Sequence, residues 1–75
     1  MLLSDTVHPS NSIYYLGAKV LGTLQREGSM PIGDLFARMH EECQMSYSML
    51  VLCLDWLYLI KAAVINDQGE VHLCI

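Results

Sequence analysis

Residues 46–60, SYSMLVLCLDWLYLI, are the most apolar part of the chain, and Asp55 is their only charged residue. Ser46 can cap the free N–H groups of a first helical turn. The fourteen residues after it contain neither glycine nor proline, and their length and leucine content favour a helix over a strand. This stretch therefore predicts the central helix of the chain.

The apolar side chains of this helix cover more than one face. One stripe recurs with the helical period and comprises Met49, Leu50, Cys53, Trp56, Leu57 and Ile60. Much of the remaining circumference is filled by Val51, Leu52, Leu54, Tyr58 and Leu59. A helix that is apolar all round is normally buried, but a chain of 75 residues buries only about 60% of its unfolded surface. A membrane span needs ~20 apolar residues, and this run is shorter and interrupted by Asp55. We therefore expect a second subunit to cover this helix.

The composition supports the same expectation. Hydrophobic residues make up 53% of the chain and charged residues 16%, whereas about 25% of residues are charged in typical soluble domains. Exposed apolar patches usually mark interaction sites. The formal net charge is −4, and the four basic residues are scattered singly. This argues against unaided nucleic-acid binding, since phosphate contacts need clustered Lys and Arg.

The expected location is the cytoplasm. The three cysteines lack the spacing of a disulfide framework, which is typical of a reducing compartment. The N-terminal sequence MLLSDTVH has neither the basic region nor the apolar core of a signal peptide.

Two further helices are predicted before the central one. Apolar residues recur with the helical period through residues 12–25, and Gly28 suits the left-handed position that follows a helix. Pro31 suits the first position of a second helix. The single apolar stripe of that helix comprises Ile32, Leu35, Phe36 and Met39. Residues 40–45 are expected to form a polar turn.

After residue 60 the pattern changes to strands. Residues 61–65 can form a short strand and residues 66–69 a turn, and residues 70–75 alternate with a period of two. This predicts a β-hairpin with inward-facing Val71, Leu73 and Ile75.

The predicted fold is mainly α with a C-terminal β-hairpin, a winged helix-turn-helix of three helices plus wing over residues 12–75. Residues 1–11 are expected to form an extended N-terminal arm, because Pro9 disfavours helix at His8. The central helix occupies the place of a DNA-reading helix, but it lacks Lys and Arg.

Few residues could carry chemistry. Two His–Cys pairs, His40 with Cys43 and His72 with Cys74, match no standard zinc spacing. Cys53 lies on the apolar stripe and is expected in the core. The glycines form no phosphate-binding loop, and so short a chain offers little cleft for a catalytic pair. We therefore predict no enzyme, and no catalytic, cofactor-binding or metal site.

The candidate functional residues are those suited to contact a partner. Asp55 either faces solvent or forms a charge-assisted bond to Arg or Lys of a neighbouring subunit. Tyrosine is enriched at interface hot spots, which favours Tyr47 and Tyr58 on the central helix. At most one of the adjacent Tyr14 and Tyr15 can face the core. The predicted partner interface comprises Tyr15, Tyr47, Leu54, Asp55 and Tyr58.

Four segments carry a family resemblance: residues 13–18 (IYYLGA), 31–36 (PIGDLF), 52–58 (LCLDWLY) and the strand that follows residues 67–69 (DQG). Through them the sequence resembles the middle component, type six, of bacterial ABC-three-component systems. Members of that family often end in basic residues, whereas this chain ends in HLCI. The resemblance therefore implies contact with DNA only indirectly, through a complex.

The resemblance implies a non-catalytic adaptor in a defence system against phage or plasmids, as in the Lamassu and Menshen groups. The adaptor would link an SMC-like ABC ATPase to an effector such as a nuclease. A homodimer is compatible with it, and no membrane partner is expected. The residues leave two alternatives open. One is a small winged-helix DNA-binding regulator that dimerises through its apolar helix, and the other is an antitoxin-like protein.

Overall fold

The computed structural model describes residues 12–74. Over that range the chain forms three helices and a small antiparallel sheet of three strands. In chain order these are α1 (Ile13–Glu27), β1 (Met30–Pro31), α2 (Ile32–Cys43), α3 (Tyr47–Leu59), β2 (Ala63–Ile65) and β3 (Glu70–Leu73). The mainly α fold and the C-terminal hairpin are confirmed. The N-terminal arm predicted at residues 1–11 and the inward position of Ile75 lie outside the described residues.

The helices begin and end where local capping allows. Ser12 and Ser46 are extended, and their hydroxyl oxygens accept hydrogen bonds from the N–H groups of Tyr15 and Met49 at 3.0 and 3.1 Å. Gly28 ends α1 with a φ of 86°, which a residue without Cβ adopts at little cost. These boundaries follow from residue types that act locally.

The polar turn predicted at residues 40–45 is wrong for its first four residues, 40–43. α2 continues to Cys43, and Gln44 then takes the left-handed conformation with a φ of 57° and donates its N–H to the carbonyl of His40. Glu41 and Glu42 are exposed on this last turn. Polar residues with good helix propensity continue a helix at the surface as readily as they form a turn.

The sheet has the order β1-β3-β2, with β3 in the centre. Met30 of β1 stands opposite Val71, and Val64 of β2 stands opposite His72. The sequence did not predict β1, because two residues carry no period. Asn66 fixes the hairpin turn, since its Oδ1 accepts the N–H groups of both residue 68 and residue 70 at 2.9 Å.

The core lies between the helices and one face of the sheet. Its members are Leu16, Val20, Leu24, Met30, Leu35, Met39, Met45, Leu50, Cys53, Leu54, Leu57, Ala63 and Val71. The stripe predicted on the central helix is confirmed for Leu50, Cys53 and Leu57. It is wrong for Ile60, which is half exposed, because α3 ends at Leu59 and the chain turns away at Lys61 with a φ of 62°.

Helices α1 and α3 approach closely at Gly17. A Cβ at this position would lie 3.0 Å from Cζ3 of Trp56, whereas a Cβ at Gly22 would meet only the mobile end of Arg26 at 3.6 Å. Tyr14 contacts the Trp56 ring edge-on, with centroids 5.1 Å apart. A side chain at Gly17 would therefore displace the Trp56 ring, whereas one at Gly22 would not.

Replacing Leu57 by Ala should lower the free energy of unfolding by about 2–5 kcal/mol, because a completely buried side chain leaves a cavity. The matched substitution Leu59→Ala, in the same helix but at a 75% exposed position, should change it by about 0.5 kcal/mol or less. Urea denaturation at one fixed protein concentration measures both. Equal losses would contradict the assigned orientation of α3.

Replacing Gly22 by Ala should stabilise the chain by up to about 1 kcal/mol through helix propensity. Gly17→Ala should lose this gain, because the Trp56 ring, held by Tyr14, must move to admit the methyl group. Thermal unfolding of the two variants, followed by circular dichroism, compares them directly. A Gly17→Ala variant as stable as Gly22→Ala would show that the helices do not meet there.

Candidate partner-binding site

Helix α3 carries apolar residues on the side that faces away from the core. Leu52, Tyr58 and Leu59 are 52%, 63% and 75% exposed. Together with Asp55 they form a surface that we name the α3 outer face: Leu52, Asp55, Tyr58 and Leu59. A surface helix normally has polar residues on its solvent-facing side. In α3 the core-facing and the solvent-facing sides are both apolar, as its sequence predicts.

The α3 outer face is unsuited to phosphate. α3 contains no Lys, Arg or His, and Asp55 is its only charge. Two of the four basic residues of the chain are engaged elsewhere, since Arg26 pairs with Glu42 at 3.4 Å and Arg38 with Glu27. α3 itself therefore carries no positive charge, and Lys61, two residues after its end, is a single cation rather than a cluster.

A groove separates α3 from β2. It encloses about 230 Å³ and is lined by Leu54, Asp55, Tyr58, Ala63, Val64 and Ile65. A second cavity of about 490 Å³ shares Tyr58, Ala63 and Val64 and reaches Leu59, Lys61 and Cys74. The apolar surface of α3 thus continues to the edge of the sheet. We name the first cavity the α3–β2 groove.

Three of the five predicted interface residues meet at this groove. Asp55 and Tyr58 are exposed on its rim, which leaves the predicted bond from Asp55 to a partner cation sterically open. Leu54 is only 6% exposed and belongs to the core. It lines the groove, but little of its side chain is accessible to a partner.

The other two predicted residues lie elsewhere. Tyr47 begins α3 and packs edge-on against Phe36 with centroids 5.4 Å apart. Tyr47 lies on the same side of α3 as Tyr58 but about 16 Å from it along the helix axis. Tyr15 lies on α1 under the Nζ of Lys19, 5.6 Å from its ring centroid. The five residues therefore do not form one patch.

Tyr14, Leu52, Leu59, Ile60 and Ile65 are exposed but are not among the five predicted interface residues. Leu52 and Leu59 lie opposite the buried stripe of Leu50, Cys53 and Leu57, on the part of the circumference that the sequence predicts a second subunit to cover. Nothing in the sequence distinguishes Ile65, since its exposure results from the position of β2 at the sheet edge.

His40 and His72, the histidines within residues 12–74, serve local structure. Because Oδ1 of Asn66 accepts two backbone N–H groups, its Nδ2 faces Nε2 of His72 and donates to it at 2.8 Å. Nδ1 of His72 lies 2.8 Å from Oγ of Ser29. His40 reaches the carbonyl of Met45 at 3.3 Å. Within residues 12–74, no three His, Cys, Asp or Glu side chains are arranged to hold a metal ion.

The three cysteines are unpaired and lie at different depths: Cys53 is buried, Cys43 is half-buried and Cys74 is exposed. Burial raises the pKa of the Cys53 thiol above the ordinary value of 9.0, and the nearby Cys43 raises it further. Because the thiolate is the nucleophile, Cys53 stays protonated and inert at neutral pH.

Thiol labelling at neutral pH should modify Cys74 first, Cys43 more slowly and Cys53 only on unfolding. Since the pKa of Cys53 is raised and its side chain is buried, its labelling rate in the folded chain should stay low even at pH 9.0. Timed alkylation with peptide mass spectrometry gives the three rates, and Cys74→Ser removes the fastest as a control. A Cys53 that reacts as fast as Cys74 would contradict its burial.

Comparison with known proteins identifies the family. A family model described as ABC-three component (ABC-3C) system Middle Component 6 matches residues 2–74 of the chain. No curated protein and no solved structure gave a match. None of the helices within residues 12–74 has the length and hydropathy to span a membrane. The chain belongs to this middle-component family and is thus a subunit of a multi-protein ABC-three-component system, which implies a role in defence.

Proposed function

We propose that this middle component is a non-catalytic adaptor that links an SMC-like ABC ATPase to an effector such as a nuclease. The observation that carries the proposal is the α3 outer face, where three exposed apolar residues surround one carboxylate. A surface of this composition gains free energy when a protein covers it. Family membership supplies the kind of system, and the adaptor role is our proposal.

The fold is proposed to be a winged helix-turn-helix. Support comes from the order of its elements, with a helix and a short strand, then two helices and a hairpin, and β3 between the other two strands. In that arrangement α3 corresponds to the helix that reads DNA in helix-turn-helix proteins. Here we assign it to protein recognition, because α3 lacks basic residues and both arginines of the chain are ion-paired.

The partner surface should be apolar, with one cation. Leu52 and Leu59 would enter its apolar part, and Tyr58 has the amphipathic character of an interface anchor. An Arg or Lys of the ATPase would stand opposite Asp55 and form a charge-assisted hydrogen bond. We place the complex in the cytoplasm, in line with the three unpaired cysteines.

Leu52→Glu and Leu59→Glu should each lower co-purification with the neighbouring ATPase by about tenfold or more, since each inserts a charge into an apolar interface. Circular dichroism should show unchanged folding, because both positions are exposed. Ala37→Glu is the matched control, an apolar-to-Glu change at an exposed position of α2. Asp55→Asn should weaken binding and make it less sensitive to salt.

If both leucine variants still retained the ATPase, α3 would not be part of the interface.

An electrophoretic mobility-shift assay distinguishes the adaptor function from the DNA-binding regulator. The purified chain should not shift DNA at low salt, because its net charge is −4. Sequence-specific binding by the chain alone, with an affinity that falls steeply as salt is added, would contradict the adaptor function and favour the regulator.

A further inference from the structure

The two edges of the sheet differ. β1 contains Pro31, which has no N–H group and so hinders addition of a strand. β2, at the other edge, consists of Ala63, Val64 and Ile65 and contains neither proline nor charge. Such an edge is a template for pairing with another strand. Within residues 12–74 no further strand pairs with it.

The hydrogen bonds to β3 show which backbone groups of β2 are unpaired. Cys74 donates its N–H to the carbonyl of Ala62 at 3.0 Å, and Asn66 donates to the carbonyl of Glu70 at 2.9 Å. The even-numbered residues of this segment therefore face β3. In an antiparallel strand the backbone groups of successive residues point alternately to one neighbouring strand and to the other side. The N–H and C=O groups of Ala63 and Ile65 therefore point away from β3, toward the open edge of the sheet.

We propose that a second copy of this chain pairs with β2, antiparallel, with the two-fold axis at Val64. In this register Ala63 of each copy stands opposite Ile65 of the other. All the outward groups of both residues then form hydrogen bonds, four in total by the ladder pattern. A register centred on Ala63 or on Ile65 would pair only that residue with itself and would halve this number.

Charge selects the same register. Lys61 and Asp67 lie in the turns at the two ends of β2, three residues on either side of Val64, so the pairing brings the end of β2 that carries Lys61 to the end that carries Asp67 in the other copy. Both are exposed, and neither forms an ion pair within residues 12–74. Opposite charges across paired strands are stabilising. Since the interface is isologous, the contact occurs twice.

The pairing also fills the α3–β2 groove. Residues directly opposite in an antiparallel pair point to the same face, and Ala63 is buried against α3. Ile65 of the second copy, 44% exposed in the single chain, would enter the groove beside Asp55 and Tyr58. The groove shares Asp55 and Tyr58 with the α3 outer face but does not include Leu52, so substitutions at Leu52 test the adaptor function separately from the dimer.

Light scattering with size-exclusion chromatography of the full chain should show a dimer. Lys61→Glu and Asp67→Lys should each raise its dissociation constant by about tenfold, because like charges then meet twice. An equimolar mixture of the two variants should restore dimers, since the mixed pair has opposite charges at both contacts. Lys19→Glu, at an exposed position of α1, is the charge control and should leave the dimer unchanged.

Two further variants test the register and the groove. In a Cys74→Ser background, Val64→Cys should form a disulfide-linked dimer on oxidation, because this position faces itself across the axis, whereas Ile65→Cys should not. Ile65→Lys should give monomers with unchanged circular dichroism, and Leu52→Lys should remain dimeric. The reverse result for either pair would overturn the proposal. So would a monomer at every concentration, whether β2 is then open, covered by residues 1–11 or bound only by another protein.

Discussion

The structure depends on burying α3, a helix that the chain can cover on one side only. Leu50, Cys53 and Leu57 fix α1, α2 and the sheet around that side. With 75 residues, no element remains within the described part of the chain to lie on Leu52 and Leu59. The opposite side therefore stays apolar and open, and its excess apolar surface is an intrinsic property of the sequence. An open apolar side of this kind is typical of a subunit that is covered by another protein in its complex.

Much of the fold could be predicted from the sequence because its determinants are local. Ser46 caps α3 through its own hydroxyl, and Gly28 ends α1 through its own backbone freedom. Features set by distant contacts could not be predicted. β1 exists only because Met30 meets Val71 from the far end of the chain. Ile60 is exposed because α3 ends at Leu59. The spacing of apolar residues does not show where the helix ends.

The candidate site was predictable in kind but not in extent. An all-round apolar helix with one carboxylate predicts a partner-binding surface, and the structure places Asp55 and Tyr58 on the exposed α3 outer face, at the rim of the α3–β2 groove. The residues that complete it depend on tertiary structure. Leu54 and Leu59 are the same residue type five positions apart, yet one is in the core and the other is the most exposed large hydrophobic residue among those described. The rotation of α3 about its axis separates them, and that rotation follows from its packing against α1 and the sheet rather than from the local sequence.

The unequal edges of the sheet limit how far it can grow. Many proteins with an open strand are at risk of polymerising, since each added chain presents a fresh edge to the next. Here β2 is accessible and β1 carries Pro31. Once two chains have joined through β2, both remaining ends bear a proline, and the ladder terminates. In the proposed dimer, this difference between the two edges of the sheet would limit strand addition to two chains and prevent growth into a fibre.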